Sequence, residues 1–176
     1  MRAFPVLVVL WAATGARAAD VSQSVTACLN PGADLAFLYR SEAIASRILG
    51  QAVVKLNWRS DPRNCPRDAI LVAISRETPA AEHPGALAYA QPFEGTHIIV
   101  FLDRVRTATS SAGAPYLLGH VLSHEIVHLL QRVDQHSSSG LMKPRWDAGD
   151  FAQMQRRDLL LMPEDSLLVR KGLSTR

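Results

Sequence analysis

The sequence predicts a single α+β domain within 176 residues: a small sheet packed on an N-terminal helix and a second long helix, with a further helix near the C-terminus. Three observations predict it. Apolar residues recur at helical spacing in three stretches, 34–49, 115–132 and 148–161. Between the first two stretches lie short β-branched or wholly apolar runs separated by turn residues, as strands require. The length suits one hydrophobic core and is short for two.

The chain opens with Arg2 and an apolar run at 6–13, too short to span a bilayer comfortably, followed by the small-x-small sequence Ala16-Arg17-Ala18. Residues 1–18 therefore read as a secretory signal, leaving 19–176 as the mature domain in a secreted or periplasmic setting without stable membrane insertion. The alternative is an uncleaved membrane anchor. Cleavage removes Arg2 and Arg17 and no acidic residue, so the formal net charge falls from +3 to +1. The remaining basic residues are scattered, with no Lys/Arg block and no interleaved aromatics, which argues against nucleic acid as a partner.

Residues 21–31 read as an irregular arm. Asp34 opens a helix that carries Leu35, Phe37, Leu38, Ala45, Ile48 and Leu49 and stops at Gly50. Residues 52–58 turn β-branched and alternating, and form the first expected strand. The continuous apolar run 69–75 is expected to be a strand buried on both faces. A Pro/His/Gly loop at 78–85 precedes a weak strand at 86–90, placed at a sheet edge, and a stronger one at 96–102. Residues 105–114 read as a polar loop. Pro115 then opens the long helix 115–132, whose Leu118, Leu122, Ile126, Leu129 and Leu130 offer a broad apolar surface. A polar turn covers 134–144. Phe151, Met154, Leu159 and Leu160 mark a final helix over 148–161 that ends at Pro163, and 171–176 are expected to fray.

The long helix contains His124-Glu125-Ile126-Val127-His128, an HExxH pattern. At roughly 100° per residue, His124 and His128 lie about 40° apart with Glu125 in the same arc. Two imidazoles can therefore meet one metal. Neutral imidazole nitrogens suit Zn²⁺, and the adjacent carboxylate can take a proton from a zinc-activated water. The bland alternative is a chance match on an amphipathic helix. His120 sits one turn earlier on the same side, but three ligands in a straight helical row cannot converge on a tetrahedral ion. His83 and His97 read as a loop and a strand-face histidine.

The run from His124 to Met142 resembles the metzincin clan of zinc peptidases, in which HExxH precedes a third ligand and a methionine turn. His136-Ser137 followed by Leu141-Met142-Lys143-Pro144 is similar to the His-Ser and Leu-Met-x-Pro segments of matrixins. HExxH-Leu-Leu, a His-Ser-x-x-Gly-Leu-Met segment and Trp146 are also similar to a group of short exported bacterial predicted metalloproteases. The resemblance covers about twenty residues. It implies a metzincin-like zincin with a small twisted mixed sheet, zinc held by His124, His128 and His136, and Glu125 as general base. It also implies a peptide or protein substrate, with whose backbone the edge strand at 86–90 could pair. Met142 would form the methionine turn; without the motif it would read as core filler.

The sequence departs from the clan where Gln131 replaces a glycine and Asp134 occupies the usual position of the third ligand. No tyrosine closely follows Met142. Glycine lets the metzincin helix reverse early, and Gln131 and Arg132 lack that freedom. The left-handed turn is therefore expected at Asp134, which would bring His136 to the metal. Asp134, or a carboxylate from the last helix such as Asp147 or Asp150, remains the alternative third ligand. A zinc-binding or interaction domain without turnover is the alternative function. Cys28 and Cys65, the two cysteines, are expected to form a disulfide in an oxidising compartment. Otherwise the Cys65 thiolate could cap the zinc, resembling the inhibitory switch of matrix metalloprotease propeptides.

Overall fold

A five-stranded sheet in the order β2-β1-β3-β5-β4 forms the frame, built from β1 (Gln23–Leu29), β2 (Val54–Arg59), β3 (Ile70–Ser75), β4 (Ala88–Ala90) and β5 (His97–Phe101). The computed structural model describes residues 22–30, 35–78, 81, 84–91 and 95–175; the expected signal and His83 lie outside them. Strands β2, β1, β3 and β5 run parallel, and β4 is antiparallel to β5 at the edge. The mixed sheet and its edge strand match the expectation for this α+β fold. Among the described residues, no helix is long and apolar enough to cross a membrane.

The strand register aligns Val25 with Leu56, Ala27 with Trp58 and Ile70, and Leu29 with Val72 and Ile98. These residues share one face, because side chains alternate along each strand. That face is covered by helices α1 (Leu35–Gly50) and α3 (Ala114–Gln131), whose apolar side chains join the same core cluster. The Trp58 indole donates to Ser46 Oγ at 2.9 Å, fastening β2 to α1. Gly119 sets the crossing of α1 and α3: a Cβ there would lie 2.6 Å from Ile44 Cγ2.

The structure corrects several sequence readings. Residues 23–29 form β1, a strand paired on both sides, where an irregular arm was expected. Its Val25, Ala27 and Leu29 carry the period of two, but small polar residues between them weaken the signal. Strand β3 is central without being buried on both faces: Ile70 and Val72 are buried, Leu71 only partly, and Ala73 is exposed. Its apolar run reflects strand neighbours on both edges. Residues 102–108, partly read as loop, form helix α2 (Leu102–Ala108), which continues directly from β5 and buries Leu102 and Val105.

The helix expected over 148–161 stops early as α4 (Ala148–Met154). Tertiary partners draw the chain out of helical form beyond it. Asp158 accepts two hydrogen bonds from the Arg47 guanidinium of α1, each 2.7 Å, and the Leu159 N–H donates to His120 Nε2. Pro163, read as a terminator, opens helix α5 (Pro163–Leu173), and Gly172 and Leu173, within the stretch 171–176 expected to fray, are helical and buried. Helix α5 lies so close to the end of α3 that a Cβ on Gly172 would fall 1.7 Å from the Leu130 carbonyl oxygen. Such an approach needs glycine.

Cys28, in β1, is bonded to Cys65, in the loop after β2, as expected. The bond leaves no Cys65 thiolate to cap a metal. Reducing the bridge should lower the unfolding free energy by about 4 kcal/mol, the chain-entropy value for a separation of 37 residues. Urea titrations with and without reductant check this, and coincident midpoints would show that the bridge adds nothing.

Candidate metal centre

Helix α3 is buried over nearly its whole length, and the polar residues of its HExxH segment are no exception. His124, Glu125 and His128 are only 8%, 8% and 5% exposed, so each must be served by fixed partners rather than by water. His124 Nδ1 lies 2.9 Å from the Leu141 carbonyl and His128 Nδ1 lies 3.1 Å from the Val133 carbonyl. A carbonyl can only accept, so both Nδ1 atoms carry protons and both Nε2 atoms keep lone pairs. Those two Nε2 atoms stand 3.1 Å apart. Two nitrogens bound tetrahedrally to zinc at 2.0–2.1 Å would be about 3.3 Å apart, so the donor pair fits that ion in chemistry and spacing.

A shared proton is a poor substitute for a metal here. Burial, assisted by the neighbouring His128 and His136, pushes His124 down to about 3, opposed by its bond to Leu141. Burial likewise lowers His128. Both imidazoles are thus held neutral, the form that ligates metals. Burial acts oppositely on Glu125, raising its carboxyl to about 8, with a backbone hydrogen bond at Ala90 opposing the rise and the Asp134 charge adding to it.

His136 completes a cluster whose potential ligand atoms all lie within 4.8 Å of one another. Its ring centroid is 5.3 Å from that of His124 and 4.8 Å from that of His128, and it is the exposed member. The backbone reverses at Arg132, with φ 57° and ψ 32°, and the Arg132 N–H bonds to the His128 carbonyl. The left-handed turn expected at Asp134 thus falls two residues earlier. An αL residue other than glycine costs about 1–2 kcal/mol. The site fastens the helix end nonetheless, through the Gln131 side-chain amide, which donates to the Asp165 carbonyl at 3.0 Å. Asp134 stands outside the three-histidine cluster. So do Asp147 and Asp150, both paired with Lys143 at 2.8 and 2.6 Å.

Met142 is fully buried in a turn closed by the Lys143 N–H to the Gly140 carbonyl, and the preceding Leu141 supplies the carbonyl that orients His124. Trp146 meets His124 edge to face at 5.3 Å, and its indole Nε1 is buried with no partner among the described residues. His120 is structural: its Nδ1–H donates to the Tyr116 carbonyl and its Nε2 accepts from Leu159. His97 lies exposed on β5, its Nδ1 2.9 Å from Thr96 Oγ1.

Sequence reasoning missed Asp165, buried at the start of α5, whose carboxylate takes the Ser137 hydroxyl. A proline followed by two acidic residues is a helix-opening signal that could have revealed it. A cavity of about 800 Å³ opens over the site, with β4 along one wall and Pro144, Arg145, Trp146 and Phe151 along another.

No known family profile matches the chain, and no curated protein matches it. Among solved structures, it is similar to the crystal structure of archaemetzincin from Methanopyrus kandleri. The two are 14% identical, the likeness covers 88% of this chain and 97% of that one, and the TM-score is 0.53. At that identity the likeness is one of fold: the chain has a zincin-like α+β fold, and it gathers three histidines that could hold a metal ion.

Proposed function

We propose that this chain is an exported zinc-dependent peptidase that hydrolyses peptide or protein substrates. The observation that carries the reading is the pair of Nε2 lone pairs directed at each other 3.1 Å apart, with His136 within reach of both rings and Glu125 alongside. His124, His128 and His136 would hold zinc. Zinc bound there supplies a Lewis acid that activates water at neutral pH and polarises the scissile carbonyl. Glu125 takes the proton of the attacking water and passes it to the leaving amine. Burial alone would keep this carboxyl protonated at neutral pH, and the charge of a zinc ion bound beside it would favour the carboxylate that accepts the proton.

Strand β4 is a short antiparallel edge strand lining the cavity, so an extended substrate could pair with it and present a carbonyl beside the histidines. Export rests on the signal read at residues 1–18 and is supported by the Cys28–Cys65 bond. Export would put the mature chain in a secreted or periplasmic compartment. A zinc-binding module without turnover would share the ligands but make no use of Glu125.

Metal analysis of the mature protein should find about one zinc per chain. Glu125→Gln should retain it while hydrolysis of a peptide library falls by about 10²–10⁴-fold, since the amide cannot accept the proton. A protein that neither carries nor takes up transition metal rules out the reading. Zinc without cleavage in the wild type leaves the binding module instead.

The third ligand is tested separately. His136→Ala should weaken zinc binding in chelator competition, and Asp134→Ala should leave it near wild type. The reverse pattern would transfer the role to Asp134.

A further inference from the structure

We infer that Asp165 is a positioning residue for the third metal ligand, acting through Ser137 to fix where His136 stands. This inference rests on the reading of His136 as a zinc ligand. The loop carrying His136 leaves α3 after Gln131 and belongs to no helix or strand, so its placement depends on what pins its two ends. Asp165 pins both. Its backbone carbonyl accepts the Gln131 side-chain amide at 3.0 Å, where the helix stops. Its carboxylate oxygens lie 2.8 and 2.9 Å from the Ser137 hydroxyl, one residue past His136. The Ser137 N–H in turn donates to the Met142 carbonyl at 2.8 Å, tying the same point to the turn that orients His124.

Capping α5 does not account for this carboxylate by itself. Its bond from the Met162 N–H is the longer one, 3.3 Å, whereas the Ser137 hydroxyl approaches it to 2.8 Å, an ordinary hydroxyl hydrogen-bond length. Asp165 is also 4% exposed, so water does not compete for it. Helix α5 cannot slide away from this duty without losing the Gly172 contact against the Leu130 carbonyl. A ligand placed on an exposed loop needs such support, because an imidazole displaced by about an ångström no longer completes the tetrahedron.

The test uses the full mature chain with zinc and, separately, cobalt as probes. Ser137→Ala, which removes the hydroxyl and leaves all charges, should weaken zinc binding by about 10–100-fold in chelator competition. The apo protein should still unfold cooperatively, its melting temperature lower by only a few degrees for the carboxylate's lost partner. Asp165→Asn should weaken zinc similarly, the double variant should be no worse than the poorer single one, and Ser137→Thr should restore affinity. The cobalt form of Ser137→Ala should lose part of its visible d–d absorption, which a merely structural role would not move. If His136→Ala weakens zinc and Ser137→Ala does not, the positioning role of Asp165 is overturned while the ligand reading stands. If His136→Ala keeps full affinity, the ligand reading falls and takes this inference with it.

Discussion

The structure depends on burying a helix that carries several polar side chains. Helix α3 packs against the sheet, α1 and α5, so almost none of its polar atoms can turn to water. An unpaired buried polar group costs about 1–3 kcal/mol, and most on this helix are met by a specific partner, the Gln131 Oε1 atom being buried without one among the described residues. His120 is met by Tyr116 and Leu159, His124 by Leu141, His128 by Val133, and Gln131 by Asp165. Four of these five partners come from the chain beyond the helix. The C-terminal segment is therefore laid along α3 by the helix's own hydrogen-bonding needs, and the same bonds orient the imidazoles. Fold and site share their constraints.

The carbonyl partners also decide what the histidines can do. Because Leu141 and Val133 take the Nδ1 protons, both Nε2 lone pairs are committed to one point, and burial denies either ring the proton that would relieve their repulsion. A cation between them would relieve this repulsion. Second contacts of this kind set ring orientation and ligand basicity in metal sites generally. Here they come from backbone carbonyls, whose positions are set by the turn at Arg132 and the turn around Met142 rather than by side-chain rotamers.

Much of this was legible where the signal is local. The HExxH spacing placed His124, Glu125 and His128 on one face of a helix whose bounds fall within a residue of expectation, and the apolar strands at 70–75 and 97–101 were plain. What escaped depends on distant partners. Strand β1 has small polar residues and becomes ordered between two neighbours; α2 is short and buries only Leu102 and Val105. The break after Met154 is imposed by Arg47 and His120, more than thirty residues earlier in sequence, where no local rule could register it. Pro163 is ambiguous by nature, since proline both ends helices and begins them. Choosing the first reading hid α5, and with it Asp165.

The spacing of the third histidine follows from where the chain turns. In the metzincin pattern the glycine stands three residues after the second histidine and the ligand three residues later. Here the left-handed residue is Arg132, four after His128, and His136 follows four after that. The two-residue delay is thus divided, one residue before the turn and one after. The added residue before it lets the helix continue through Gln131, whose amide reaches Asp165. The longer stretch after it includes Val133, whose carbonyl holds His128. A glycine at position 131 would offer an easier turn but no side chain for α5. The chain accepts a left-handed Arg132 because tertiary hydrogen bonds on either side of it hold the reversal in place.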